Sequence, residues 1–263
     1  HPWNPIMLKF ALLGSGSSGN ATVVTDGRST VLIDNGLSYV RLAERLGRVG
    51  LSPDRLDAVF ITHEHSDHVL GLGVLSRKVR VPIFASAGTC DALPKSLEGL
   101  PNLVPFESGD TVPVGNLSIG SFSVSHDAAD PVSYTVTNSG TKLGFATDFG
   151  HVSQLVQTRL SGAHALVLES NYCPDMLRLG SYPPAVRQRI SSRVGHLSNH
   201  DAMRLLKDLA HDGLKVIVLV HLSRENNLPD LPLQLARKTL RGHPAEIVIA
   251  PPDGESRLFE VSA

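Results

Sequence analysis

His63, His65, Asp67 and His68 fall within six residues of one another in THEHSDHVLGL, directly after the apolar run DAVFI. Three imidazoles and a carboxylate at the end of a strand suit Zn²⁺ or Mn²⁺, because these ligand types serve borderline divalent ions. One histidine there would be an ordinary turn residue; four donors packed this closely are not a product of surface composition. Three more donors close later apolar runs: His126 after SFSVS, Asp148 after LGFAT and His221 after VIVLV. Taken singly, His126 reads equally well as a satisfied turn histidine and Asp148 as a turn or helix cap. Loops carried on a rigid sheet are where sites are built, and together these residues make a donor set large enough for two metal ions.

Two metals about 3.5–4 Å apart can lower the pKa of a bridging water and neutralise the attacking and leaving oxygens of a displacement. The expected chemistry is hydrolysis of an ester-like bond without a protein nucleophile. Cys90 and Cys173 are too few and too isolated for a disulfide framework, which favours a reducing, cytoplasmic setting. His151, His164, His211 and His243 lie outside any donor cluster and read as surface or core residues.

Three further stretches bear on the substrate. LLGSGSSGNATVV places Ser15, Ser17, Ser18 and Asn20 among glycines between two strands, where backbone amides could approach an anion. A tightly packed or flexible loop is the equal alternative, since no P-loop lysine follows. From Met176 to Asn199 the chain carries Arg178, Arg187, Arg189 and Arg193 and no acidic residue, a composition able to track a phosphate backbone or to form a solvated surface. In GHLSNHDA, Ser198 or Asn199 can cap the helix that follows, with Asp201 in its first turn; His200 then sits on the helix and His196 in the preceding loop.

The elements that must position these residues are legible in outline. LKFALLG, ATVVTD, STVLIDNG, DAVFIT, VPIFAS, LSIGSFSVS, PVSYTVTNSG and TKLGFATD read as strands, with one helix at YVRLAERLGRVG. ALVLES and VIVLVHLS follow as buried strands, AMRLLKDLAHDG and LPLQLARKTLRG as helices, and AEIVIAP with SRLFEVS as a last strand pair; MLRLGSYPPAVRQRISSRVG contains a loop. Strands dominate first and then alternate with helices, which suits an α/β fold of two mixed sheets flanked by helices in one domain over residues 7–263. HPWNPI is set apart from that domain, because Met7 resembles a natural start. No segment approaches the about 20 apolar residues of a membrane span. With a net charge of −1 the chain as a whole does not attract nucleic acid, which leaves a local basic patch as the route to such a partner.

The pattern HxHxDH followed by a lone His, Asp and His resembles the metallo-β-lactamase superfamily. The resemblance implies the αββα sandwich, with His63, His65 and His126 on one metal, Asp67, His68 and His221 on the second, and Asp148 between them. VLIDNG matches a further position, which implies a structural place near the site for Asp34. Neither cysteine occupies a ligand position, and a flavodiiron-type oxidoreductase would need a carboxylate in place of His65.

GSGSSGN, LVLESNYCPDML, RVGHLSNHDA and VLVHLSRENN resemble the YycJ (WalJ) branch of the superfamily, similar to the tRNase Z and β-CASP nucleases. What this implies is a metal-dependent phosphodiesterase, a 5′-to-3′ exonuclease with DNA more than RNA as its partner, two Mn or Zn ions as cofactors and a bridging hydroxide as nucleophile. His196 would contact the scissile phosphate and act in catalysis with Asp67; Ser198 and Asn199 would lie on the substrate side with it; Glu169 would orient a histidine. Two rivals stay open: a (thio)ester or lactone hydrolase of the glyoxalase II type, and a metal-binding regulatory module without turnover.

Overall fold

The computed structural model describes residues 7–263, so the expectation that residues 1–6 stand apart from the fold lies outside the described residues. Three antiparallel strands open the chain: β1 (Leu8–Gly14), β2 (Ala21–Thr25) and β3 (Thr30–Ile33). Then come α1 (Tyr39–Arg48), β4 (Ala58–Phe60), α2 (Ser66–Val69), α3 (Leu72–Lys78), β5 (Ile83–Ser86), α4 (Ala87–Ala92) and β6 (Leu103–Phe106). The second half holds β7 (Thr111–Val114), β8 (Leu117–Ser123), β9 (Val132–Asn138), β10 (Thr141–Ala146), α5 (Gln154–Leu160) and β11 (Ala165–Glu169). It continues through α6 (Pro174–Leu179), α7 (Pro184–Ile190), α8 (Asn199–Leu209), β12 (Val216–Val220), α9 (Asp230–Thr239), β13 (Glu246–Ile249) and β14 (Phe259–Val261).

Two seven-stranded mixed sheets result, in the orders β14-β1-β2-β3-β4-β5-β6 and β13-β12-β11-β10-β9-β8-β7. The apolar runs ALVLE and VIVLV are buried along their whole length as β11 and β12, paired in parallel, because both of their faces are covered. One core layer lies between the sheets, with Phe10, Phe60, Tyr134 and Phe259 among its fully buried side chains. A second packs α1 and α3 on the first sheet through Leu42, Leu46, Leu72 and Leu75, and a third packs α5, α8 and α9 on the other through Leu160, Leu206 and Ala236. The layering is therefore αββα, as the strand and helix pattern implied.

The last two strands differ from the sequence expectation. β13 pairs in parallel with β12, whereas β14 crosses to the other sheet and pairs antiparallel with β1, so AEIVIAP and SRLFEVS do not form a pair. The helix α9 makes the parallel crossover from β12 possible, and the final segment covers the edge that β1 would otherwise expose.

The site end of the sandwich is tied across the sheets. The buried Tyr134 hydroxyl on β9 donates to the Ile61 carbonyl at 2.5 Å, and the Val132 amide donates to the Thr62 carbonyl at 2.9 Å. These bonds fix the strand that leads into His63 against the opposite sheet.

Candidate metal centre

Five of the seven candidate donors follow the carboxyl end of a strand, His63 and His65 after β4, His126 after β8, Asp148 after β10 and His221 after β12, while Asp67 and His68 sit on the short α2. Asp34, Asp148 and His221 hold φ near +60°, at 60°, 56° and 56°. Non-glycine residues in this region cost about 1–3 kcal/mol each and persist where surrounding structure over-determines them, as at sites where strands turn abruptly to aim a side chain.

Ligand-type atoms converge in overlapping groups, each within 4.8 Å of one another: His63, His65 and His126; Asp67, His68 and His221; and His63, His68 and Asp148. The structure thus brings together all seven residues picked from the sequence: the third group shares His63 with the first and His68 with the second, and adds Asp148. A fourth group, Asp148, Glu169, His196 and His221, joins the GHLSN loop to the same centre.

The histidines are aimed by their other ring nitrogens. Asp34, 1% exposed, accepts from His68 Nδ1 at 2.8 Å and from the Thr62 amide and hydroxyl at 2.8 and 2.9 Å. Thr62 Oγ1 in turn lies 3.0 Å from His63 Nδ1. His126 Nδ1 donates to the Gly195 carbonyl at 3.1 Å, and His221 Nδ1 to Glu169 Oε1 at 3.0 Å. Such partners fix tautomer and ring orientation and raise ligand basicity. With Nδ1 engaged, His126 Nε2 and His221 Nε2 are left buried without a partner, as is Asp148 Oδ2. Unpartnered lone pairs are costly inside a protein unless something electropositive meets them, and a divalent cation fits this donor set.

The electrostatics follow from the crowding. Burial and the neighbouring His68, His126 and His65 push His63 well below the usual histidine range, which leaves it neutral as a ligand must be. Burial opposes the charged form of His68, yet the carboxylates of Asp34 and Asp148 push it up to about 10. Asp67 and Glu169 resist burial in the opposite sense: His221 and His68 hold Asp67 down, and His196 and His221 hold Glu169 down. The carboxyls of Asp67, Asp148 and Glu169 are all held below their ordinary range by the surrounding imidazoles, against the effect of burial.

Glu169, fully buried at the end of β11, accepts from His196 Nδ1 at 2.8 Å through the same Oε1 that meets His221. Its Oε2 accepts from the amides of Phe149 and Leu197 at 3.0 and 3.2 Å. It therefore orients two histidines rather than one. His200 is exposed in the first turn of α8, away from any donor group, and the other four spare histidines also lie outside the centre.

Several of the residues expected on the substrate side make bonds within the protein. The Ser198 hydroxyl caps α8 by accepting from the Asp201 amide at 3.0 Å, and Asn199 is 1% exposed and bonded to Ser170 and Asn227. Both are committed to the scaffold, because their polar atoms are used inside the protein. Three amides of the glycine loop are engaged within the protein: those of Gly16, Gly19 and Asn20 donate to Asn20 Oδ1, the Gly16 carbonyl and the Asp67 carbonyl. Ser15 Oγ accepts from the His221 amide at 2.8 Å, and Asn20 Nδ2 donates to Asp67 Oδ2 at 3.1 Å. Ser17 and Ser18 are exposed at the tip. Ser15 and Asn20 thus hold the centre together, while the two tip serines face outward.

The arginine segment is less free than its composition suggests. Arg189 Nε pairs with Asp127 Oδ2 at 2.8 Å, Arg178 pairs with Asp175 at 3.1 Å, and Arg187 Nη1 donates to the Arg178 carbonyl. The counter-charges come from outside the stretch in which acids were sought. Thr62 and Gly36 escaped the sequence reading although both flank its motifs. A Cβ on Gly36 would lie 1.8 Å from the Asp67 carbonyl oxygen, so only glycine lets the loop after β3 approach α2.

Residues 29–222 match the family described as Beta-lactamase superfamily domain. The chain is 39% identical over 226 residues to exodeoxyribonuclease YycJ of Bacillus anthracis, covering 85% of this chain and 86% of that protein. It is 37% identical over 231 residues to exodeoxyribonuclease WalJ of Streptococcus pneumoniae, covering 86% of each. The metallo-β-lactamase fold protein YhfI of Bacillus subtilis superimposes with a TM-score of 0.74 at 19% identity, over 97% of this chain and 99% of that one. Among the described residues no helix is long and apolar enough to cross a membrane. By family match, fold and a donor cluster suited to divalent metal, the chain is a metal-dependent hydrolase that belongs to the metallo-β-lactamase superfamily, within its YycJ/WalJ branch.

Proposed function

We propose that the protein is a 5′-to-3′ exonuclease acting on DNA through a two-metal centre. His63, His65 and His126 would hold one ion, Asp67, His68 and His221 the other, and Asp148 would bridge them. What supports two ions is the size of the donor set: seven side chains converge in overlapping groups, more donors than the four that one tetrahedral ion takes. Bound there, the ions supply an activated water and Lewis-acid neutralisation of a phosphodiester.

The chain's own contribution is orientation. Asp34 and Glu169 hold His68 and His221 with Nε2 inward, and Asn20 steadies the Asp67 carboxylate. His196, with its side chain 24% exposed and Nδ1 held by Glu169, presents Nε2 to the adjoining cleft. An Nε2–H there can donate to a phosphate oxygen as charge develops, or to the departing oxygen.

The single observation that carries this reading is the convergence of His196 on the donor cluster through Glu169, in a chain 39% identical over most of its length to a named exodeoxyribonuclease. The discriminating experiment compares His196→Ala with Asp67→Ala. Loss of DNA cleavage with metal retained is expected in the first, and loss of metal in the second; unchanged turnover in both would overturn the assignment.

A further inference from the structure

Beside the donor cluster lies a cleft of about 320 Å³, at the small end of ligand-sized sites. His196 and His221 line it together with Ser17, the segment Leu222 to Glu225 after β12, Ile190 at the end of α7 and Tyr182 two residues before that helix. Much of its polar lining is already engaged. Asn171 Nδ2 donates to the His221 carbonyl at 2.7 Å, Ser223 Oγ accepts from the Asn226 amide at 3.1 Å, and Arg224 Nη2 is paired with Asp253 at 2.6 Å. What is left to meet a ligand is Ser17 and Glu225, both exposed, and an apolar face made by the half-buried Tyr182 ring with the Ile190 and Leu222 side chains.

Tyr182 is also held in place. Pro183 and Pro184 follow it directly, and Pro183 is extended at φ −54° and ψ 149°. A residue before proline is restricted to extended backbone, so the Tyr182 backbone has little conformational freedom to lose. At the far end of α7, the Ile190 carbonyl accepts from the His196 amide at 2.9 Å. The wall and the proposed phosphate contact are therefore parts of one connected segment.

We infer that this cleft receives the nucleobase of a nucleotide flanking the scissile phosphate, with Tyr182 as its stacking platform. The inference rests on the phosphodiesterase reading above and names what that site recognises beside the phosphate. A stacking surface accepts any base and rejects a sugar without one, because every base has a π-face and hydrogen-bond readout is not involved.

The test uses the metal-loaded full chain and a set of single-stranded DNA oligonucleotides, either intact or with one abasic residue at the terminal or the second position. The wild type cleaves one of the abasic oligonucleotides with kcat/KM about tenfold or more below the intact one, as the loss of a stacked base implies. Tyr182→Ala lowers kcat/KM on the intact oligonucleotide by a similar factor through KM and loses no more on the abasic one, whereas Tyr182→Phe keeps the wild-type preference. Metal content and melting temperature of both variants match the wild type. Equal cleavage of intact and abasic oligonucleotides by the wild type overturns the inference while leaving the nuclease reading intact, as does a base preference that survives in Tyr182→Ala. A wild type that hydrolyses bis(p-nitrophenyl) phosphate but no oligonucleotide overturns the nucleic-acid reading and the inference together.

Discussion

Glu169 Oε1 lies 2.8 Å from His196 Nδ1, and the same oxygen lies 3.0 Å from His221 Nδ1. One buried carboxylate therefore sets the orientation of an imidazole that faces the cleft and of one that faces the metal centre. Its other oxygen is satisfied by two backbone amides, so the carboxylate cannot rotate away without leaving buried donors unpaired. The substrate side and the metal side of the centre are mechanically joined at this residue.

Glu169→Gln should lower both metal affinity and kcat by about 10–100-fold, the usual cost of losing a partner that orients a ligand. Combined with His196→Ala, the loss should fall short of the product of the two single effects, because both changes disable the same unit. Metal titration and steady-state kinetics on the two single variants and the double variant check this; strictly multiplicative losses would show that Glu169 does not act through His196.

Asp34→Ala should cost more stability than activity assays alone reveal. It strips three contacts from a carboxylate that is 1% exposed and leaves His68 buried beside an unanswered hydrogen-bond site. Breaking a buried pair costs about 3–5 kcal/mol, and metal affinity should fall by about 10–100-fold. Urea unfolding with and without chelator separates the two: the stability loss should persist in chelator, where only folding contacts are read.

Gly36→Ala and Gly47→Ala should move stability in opposite directions. The first drives a Cβ to 1.8 Å from the Asp67 carbonyl oxygen and must displace the loop that positions the metal donors. The second adds a methyl group in α1 where nothing lies within 4 Å, and should stabilise by about 0.4–1 kcal/mol through the unfolded state. Thermal melts of both variants, with metal content measured alongside, give the comparison.

Much of the centre was legible because its chemistry is local. Four donors lie in THEHSDH, and the others each close an apolar run whose strand character is plain. The longer buried strands were readable for the same reason. β6 and β7 were not, because they are short, largely uncovered and carry Pro105 and Pro113, which belong on edge strands. The pairing of β14 with β1 joins opposite ends of the chain, and no local pattern announces it. The glycine loop shows a similar limit: three of its amides are engaged by Asn20, Gly16 and Asp67, and only the folded arrangement reveals that. Arg189 finds its partner in Asp127, a segment away, so counting charges within the basic stretch overstated its freedom.

The most direct test of the central claim is a time course with 5′- and 3′-labelled single-stranded and duplex DNA, with matching RNA, in Mn²⁺ and in Zn²⁺. The account predicts that the 5′ label appears in short products at the earliest times while 3′-labelled strands shorten progressively, with DNA consumed faster than RNA. Intact DNA and RNA at every time point, in a metal-loaded preparation that cleaves a thioester or lactone, would contradict it.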